Sequence, residues 1–184
     1  VDVTKRLLSE NTVCVRIVNT GSRKDRVKTL KCQMSFGWDF APPILTMGIW
    51  SNAYIVRPND VYIRGLTVDA IPGPDGIWEV NAGIDLDDAA SGEAEIDIEI
   101  TGANFTAREK TVKKHIVALH KGLNGLNASL TIEKPHLWDI WEEGKQNLYS
   151  MKVTVLRGGK VLDTAQTRFG LRTVQLLKNS GSDE

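Results

Sequence analysis

The stretch Glu93-Ala94-Glu95-Ile96-Asp97-Ile98-Glu99-Ile100 alternates acidic and apolar residues without a break. A period of two puts Ala94, Ile96, Ile98 and Ile100 on one face and the four acids on the other, as in a strand with one side in a core and one in water. A helix would spread the same isoleucines around its circumference, so the period decides for strand. Working outward, residues 148–156 repeat the pattern, with Met151, Val153 and Val155 inward and Lys152 and Thr154 outward. Gly158-Gly159 then supplies a turn, and Lys160-Val161-Leu162-Asp163-Thr164-Ala165 returns as the second arm of a hairpin.

Further strands are expected at residues 61–70, 77–86, 113–120, 128–133 and 172–178, and a β-branched run at residues 12–18 reads the same way. Turn signals separate them: Pro72-Gly73-Pro74-Asp75-Gly76, Ser91-Gly92, Gly102, Asn124-Gly125 and Gly144. A turn of helix is weighed only at residues 107–114. About seven short strands spaced by such turns imply an all-β chain whose main unit is an immunoglobulin-like sandwich. Pro58, in Arg57-Pro58-Asn59-Asp60, breaks strand pairing and marks a boundary between a Trp-, Phe-, Gly- and Pro-rich segment and the alternating strands. The polar end, residues 179–184, reads as a disordered tail.

Lys plus Arg equal Asp plus Glu at 23 each in 184 residues, which removes the basic excess of a nucleic-acid binder and leaves no basic membrane face. No apolar run reaches the length of a membrane-spanning helix, and the first residues lack the apolar core of a signal peptide. Localisation stays open. Cys14 and Cys32 are too few for a disulfide framework and read as small buried side chains, with a bridge between them left open. His115, His120 and His136 have no ligand spacing, so neither a metal nor another cofactor is expected. Sequons occur at Asn104 and Asn127. Trp78 reads as a strand residue, and Trp50, Trp138 and Trp141 as packing residues.

Three segments carry a family resemblance. Val1-Asp2-Val3-Thr4 with Leu7 and Asn11-Thr12-Val13 is the first; Phe36-Gly37-Trp38-Asp39-Phe40-Ala41-Pro42 with Gly48-Ile49-Trp50 is the second. The third is Pro135-His136-Leu137-Trp138, Leu148-Tyr149, Asp163 and Arg168-Phe169-Gly170-Leu171-Arg172-Thr173. In order and spacing these resemble glycoside hydrolase family 2, in its β-mannosidase branch. The resemblance implies that residues 1–57 are the later part of a galactose-binding-like jelly roll, that residues 58–178 are the immunoglobulin-like domain, and that the other half of the jelly roll and a (β/α)8 barrel belong to the same parent. It implies a retaining exo-enzyme whose two catalytic glutamates sit on that barrel, so this chain holds no catalytic residue. It further implies that Trp38 and Asp39 line the subsite for a terminal β-mannoside.

The chemistry suits that role. An indole covers the C–H face of a sugar, and a carboxylate accepts its hydroxyls. Taken alone, the same pair also fits a core Trp beside a turn-capping Asp. Phe40 stands where the family often has a second Trp, and Pro43 where a basic residue often follows, which leaves the sugar preference open. Half a jelly roll would expose strand edges, so exchange of strands in a homodimer is a further expectation. A different function class also fits: a stand-alone carbohydrate-binding or adhesion module without catalysis.

Overall fold

The computed structural model describes residues 3–19, 21, 23–57, 59–106 and 110–176. The chain divides into two units, Val1–Ile55 and Val56–Glu184.

The second unit is a two-layer sandwich. Its strands are β1 (Val61–Pro72), β2 (Trp78–Asp88), β3 (Gly92–Gly102), β4 (Thr111–Leu119), β5 (Gly122–Ile132), β6 (Tyr149–Arg157) and β7 (Lys160–Phe169). One sheet has the order β1-β2-β5 and the other β4-β3-β6-β7, with every pairing antiparallel. The fourth strand therefore joins strands three, six and seven, unlike the constant-type arrangement, where it joins the first sheet. Alternation sets the register. Ala94, Ile96, Ile98 and Ile100 on β3 meet Met151, Val153 and Val155 on β6, all at most 2% exposed, and Trp78, Val80, Ala82, Ile84 and Leu86 of β2 close the core from the other sheet. Gly158 and Gly159, both at positive φ, make the β6–β7 turn.

β1 and β7 lie against each other, and each carries an extra residue there, Arg64 on β1 and Leu162 on β7, where the register shifts against β2 and β6. Ile63 N–H, freed from its ladder, donates to Asp163 Oδ2 at 2.8 Å, and Asn59 Nδ2 donates to the Leu162 carbonyl at 2.6 Å. At the opposite edge Lys113 of β4 donates to the Ser129 carbonyl of β5 at 2.7 Å, so a lysine occupies an acceptor on an open strand edge.

Several expectations need correction. Asn124-Gly125 lies inside β5, where Gly125 pairs with Asp85. The reversal sits upstream at Gly122 (φ 95°), and the Asn124 amide serves it from within the strand, accepting from His120 N–H and donating to the His120 and Gly122 carbonyls. Residues 172–176 form no strand, and residues 177–184, with the expected tail, lie outside those described. Residues 12–18 form no strand either: β-branched propensity needs a ladder partner, and the run has none among the described residues. Residue 111 already belongs to β4, while residues 107–109 of the weighed helical turn lie outside those described. Cys14 and Cys32 are free and exposed rather than buried.

Among its described residues the first unit has only 3₁₀ turns, Thr4–Arg6, Arg23–Lys28 and Gln33–Phe36, and one isolated bridge. No described helix is long and apolar enough to cross a membrane.

Candidate functional site

The Trp-Asp segment is a tight hairpin. The 3₁₀ turn Gln33–Phe36 leads into Gly37, whose φ of 95° reverses the chain where an L side chain would be strained. Trp38 and Ala41 then exchange both backbone hydrogen bonds, at 3.0 and 3.1 Å, with Asp39-Phe40 at the tip. Ile44 N–H donates to the Ser35 carbonyl at 3.0 Å and closes the base, and the Lys31 ammonium donates to the Thr46 carbonyl. Phe36 is the side chain this unit buries, at 2% exposure, whereas Trp38 is 59% exposed. The Asp39 carboxylate makes no hydrogen bond or ion pair among the described residues. Within its unit, then, Trp38 is no core residue and Asp39 caps no turn.

Most of the third motif group gathers at one end of the sandwich; Asp163 stands apart, near the start of β7, where it accepts from Ile63 N–H. Tyr149 begins β6 and is buried. Its hydroxyl accepts from His136 N–H at 2.8 Å, its ring stacks on Phe169 (5.5 Å) and meets Phe105 edge-on (4.9 Å), and Phe105 covers His136 at 4.4 Å. Trp138 N–H donates to the Leu171 carbonyl at 2.8 Å, and the Arg172 guanidinium lies 4.8 Å from the Trp138 ring centre. Gly170 allows this close approach, because a Cβ there would sit 3.1 Å from that of Trp138 and push the ring aside by a few tenths of an ångström. Asn104 ties the group together, donating to the Gln146 carbonyl and accepting from Leu148 N–H.

These contacts explain the spacing of Pro135 to Trp138, Leu148-Tyr149 and Phe169 to Arg172 as packing. Burial raises the Tyr149 phenol above its ordinary value near 10 by disfavouring the phenolate. Its ultraviolet titration should therefore have a midpoint above 10, and Tyr149→Phe should destabilise the chain by about 0.5–1.5 kcal/mol in a urea melt. A loss below 0.2 kcal/mol would show the His136 bond to be idle.

The expected packing role of Trp141 fails among the described residues, since it is largely exposed, while Trp78 is buried on β2 as read; within its own unit Trp50 is exposed. Asp88, an acid whose charge alone would place it in water, is fully buried. Arg157 donates to it twice, Nη1 to Oδ1 at 3.3 Å and Nη2 to Oδ2 at 2.6 Å, and Ala90 N–H adds a third bond. The strand period held the missed signal, because Asp88 is in phase with Ile84 and Leu86. Among the described residues no cluster of three His, Cys, Asp or Glu could hold a metal ion.

The profile of Glycosyl hydrolases family 2 matches residues 61–172, from the first residue of β1 to the arginine over Trp138, which is more than half of the chain. The chain belongs to glycosyl hydrolases family 2. β-mannosidase A of Aspergillus terreus is 30% identical over 166 residues, 83% of this chain and 18% of the relative. β-mannosidase B of Thermothelomyces thermophilus is 27% identical over 161 residues. The crystal structure of the β-D-mannosidase from Dictyoglomus thermophilum superposes with a TM-score of 0.69 at 29% identity, over 83% of this chain and 18% of that one. A family member from Bacteroides cellulosilyticus, at 21% identity and a TM-score of 0.57, shares the fold. The chain thus spans less than a fifth of the length of the relatives it matches.

Proposed function

We propose that this chain is the non-catalytic β-sandwich portion of a retaining, β-mannosidase-like exo-glycosidase, and that its Trp38-Asp39 hairpin belongs to the sugar subsite of the parent. The reading rests on the identity to β-mannosidases over 83% of the chain, more than the sandwich alone occupies. The hairpin geometry supports it: an exposed indole beside an unpartnered carboxylate, on a backbone braced at both ends. Residues 1–57 are then the end of a sugar-binding jelly roll, residues 58–178 the immunoglobulin-like domain and 179–184 a tail.

Retaining hydrolysis needs two carboxyl groups about 5 Å apart across the sugar. On the sandwich, Glu95, Asp97 and Glu99 of the outer β3 face are paired with Lys114 and Lys110, so they serve as surface charges. The chain alone is therefore expected to leave a chromogenic β-mannoside uncut.

The test is Asp39→Ala in the parent enzyme. Removing charge-assisted bonds to sugar hydroxyls should lower kcat/KM on that substrate by about 1.5–3 kcal/mol, one to two orders of magnitude. Unchanged kcat/KM would remove Asp39 from the subsite.

A further inference from the structure

A cleft of about 420 Å³ opens on the outer face of the β1-β2-β5 sheet. Small-molecule sites begin at about 300 Å³, so it has room for a compact ligand. Arg64, Asp85, Leu123, Asn124 and Gly125 line it, so all three strands contribute. Arg64 is the extra residue of the β1 bulge, and a bulge takes a side chain out of the ladder and re-aims it. Asp85 pairs with Gly65 on one side and Gly125 on the other, so no cross-strand side chain covers its carboxylate. The Asn124 amide is committed to the Gly122 reversal, which holds the β5 wall in place. Among the described residues neither the Arg64 guanidinium nor the Asp85 carboxylate makes a hydrogen bond or ion pair, so both are available within one cleft.

Gly125 is the residue that points to a ligand. Glycine inside a strand weakens it, and its usual reasons are an unusual backbone angle, a crowding neighbour or the close approach of a ligand. Gly65 and Gly83 have crowding neighbours: added Cβ atoms would stand 3.0 Å from Asp85 Oδ2 and 2.5 Å from Thr67 Oγ1. At Gly125 nothing lies within 4 Å of where a Cβ would stand, and its φ is not positive. The fold does not need this glycine. What its missing side chain leaves open is the cleft.

We propose that this cleft is a carbohydrate-binding site of the sandwich, in which Asp85 and Arg64 hold the hydroxyls of a pyranose ring laid over Gly125. The ligand class follows from the lining. The two charges cancel, which favours a neutral molecule. A carboxylate accepts two adjacent hydroxyls, and a guanidinium donates to hydroxyl oxygens. Leu123, 59% exposed, offers apolar surface to C–H groups. A neutral molecule with adjacent hydroxyls and an apolar C–H face is a sugar. The site shares no residue with the Trp38-Asp39 hairpin. The choice of a β-mannoside as probe rests on the function proposed above.

The experiment is titration of the ¹⁵N-labelled chain with β-1,4-mannotriose, followed by amide NMR. The amides of Arg64, Asp85, Leu123 and Gly125 should move along one saturable curve with a millimolar dissociation constant. Asp85→Asn should weaken binding about tenfold or more, as loss of a charge-assisted bond requires. Gly125→Thr fills the cleft and puts a β-branched residue in the strand, so it should abolish the shifts while raising the urea midpoint. No saturable shift at these residues would overturn the proposal, as would an affinity that Asp85→Asn leaves unchanged. A lower urea midpoint for Gly125→Thr would also overturn it, by showing that the glycine serves the fold. Asp39→Ala should leave the titration as it is, so failure of the hairpin reading, seen in the kcat/KM of the parent, is distinguishable from failure of this one.

Discussion

Arg157→Ala should cost the sandwich about 3–5 kcal/mol, because it strands a buried carboxylate. The Asp88 side chain is 0% exposed, and both of its oxygens are held by Arg157, which itself remains 24% exposed. Arg157 also bonds the Glu93 carbonyl through Nε, so the same side chain links the ends of β2, β3 and β6. Urea unfolding at pH 7 measures the loss, and a change under 1 kcal/mol would mean that water reaches Asp88 freely.

The pH dependence gives a second check. The Arg157 hydrogen bonds hold the Asp88 carboxyl below its ordinary value, against the opposing pull of burial. A carboxyl depressed in the folded state stabilises the fold above its unfolded value, near pH 4, and that contribution is lost as pH falls through the folded value. In Arg157→Ala the burial penalty prevails and the sign reverses, so the gap between the two proteins should narrow below about pH 4.

Ile98→Ala should cost about 2–5 kcal/mol, the range for deleting a large aliphatic side chain from a packed core. Ile98 is wholly buried on β3, between β4 and β6, where its register partners are Lys113 and Val153. Glu95→Ala on the outer face of the same strand removes an exposed bond to Lys114 and should cost about 0.2–1 kcal/mol. The pair isolates the strand's period from its composition. Similar losses at the two positions would contradict the assignment of faces.

Legibility of the sequence followed the range of the forces involved. The β3 and β6 strands could be read residue by residue because one buried face leaves a period of two that no other element imitates. Asn124-Gly125 misled because local turn chemistry was overruled by the ladder between β2 and β5; the asparagine still serves the turn, but from inside the strand. Residues 12–18 have strand composition without strand structure, since a ladder is a property of two segments and propensity of one. Asp88 sets two signals against each other: its charge points to water, while the parity it shares with Ile84 and Leu86 points to the core, and parity prevails. Gly37 before the pair and Pro42 and Pro43 after it make the Trp38-Asp39 hairpin legible as a turn. Its exposure is not, because a Trp in a short segment looks the same whether it faces a core or a sugar.

The facing bulges of β1 and β7 also fix how the sandwich carries mechanical load. The chain enters at Asn59, tied to the start of β7 through Leu162, and leaves at Phe169, at the far end of the same strand. The seven steps of extended strand from Leu162 to Phe169 span about 23 Å, so the entry and exit points are set toward opposite ends of the strand. A pull between them runs along the β1–β7 contact in shear and strains the Ile63–Asp163 and Asn59–Leu162 bonds together. Loaded in this way the domain should behave as a strut rather than a hinge, because both bonds must yield together before the strands part.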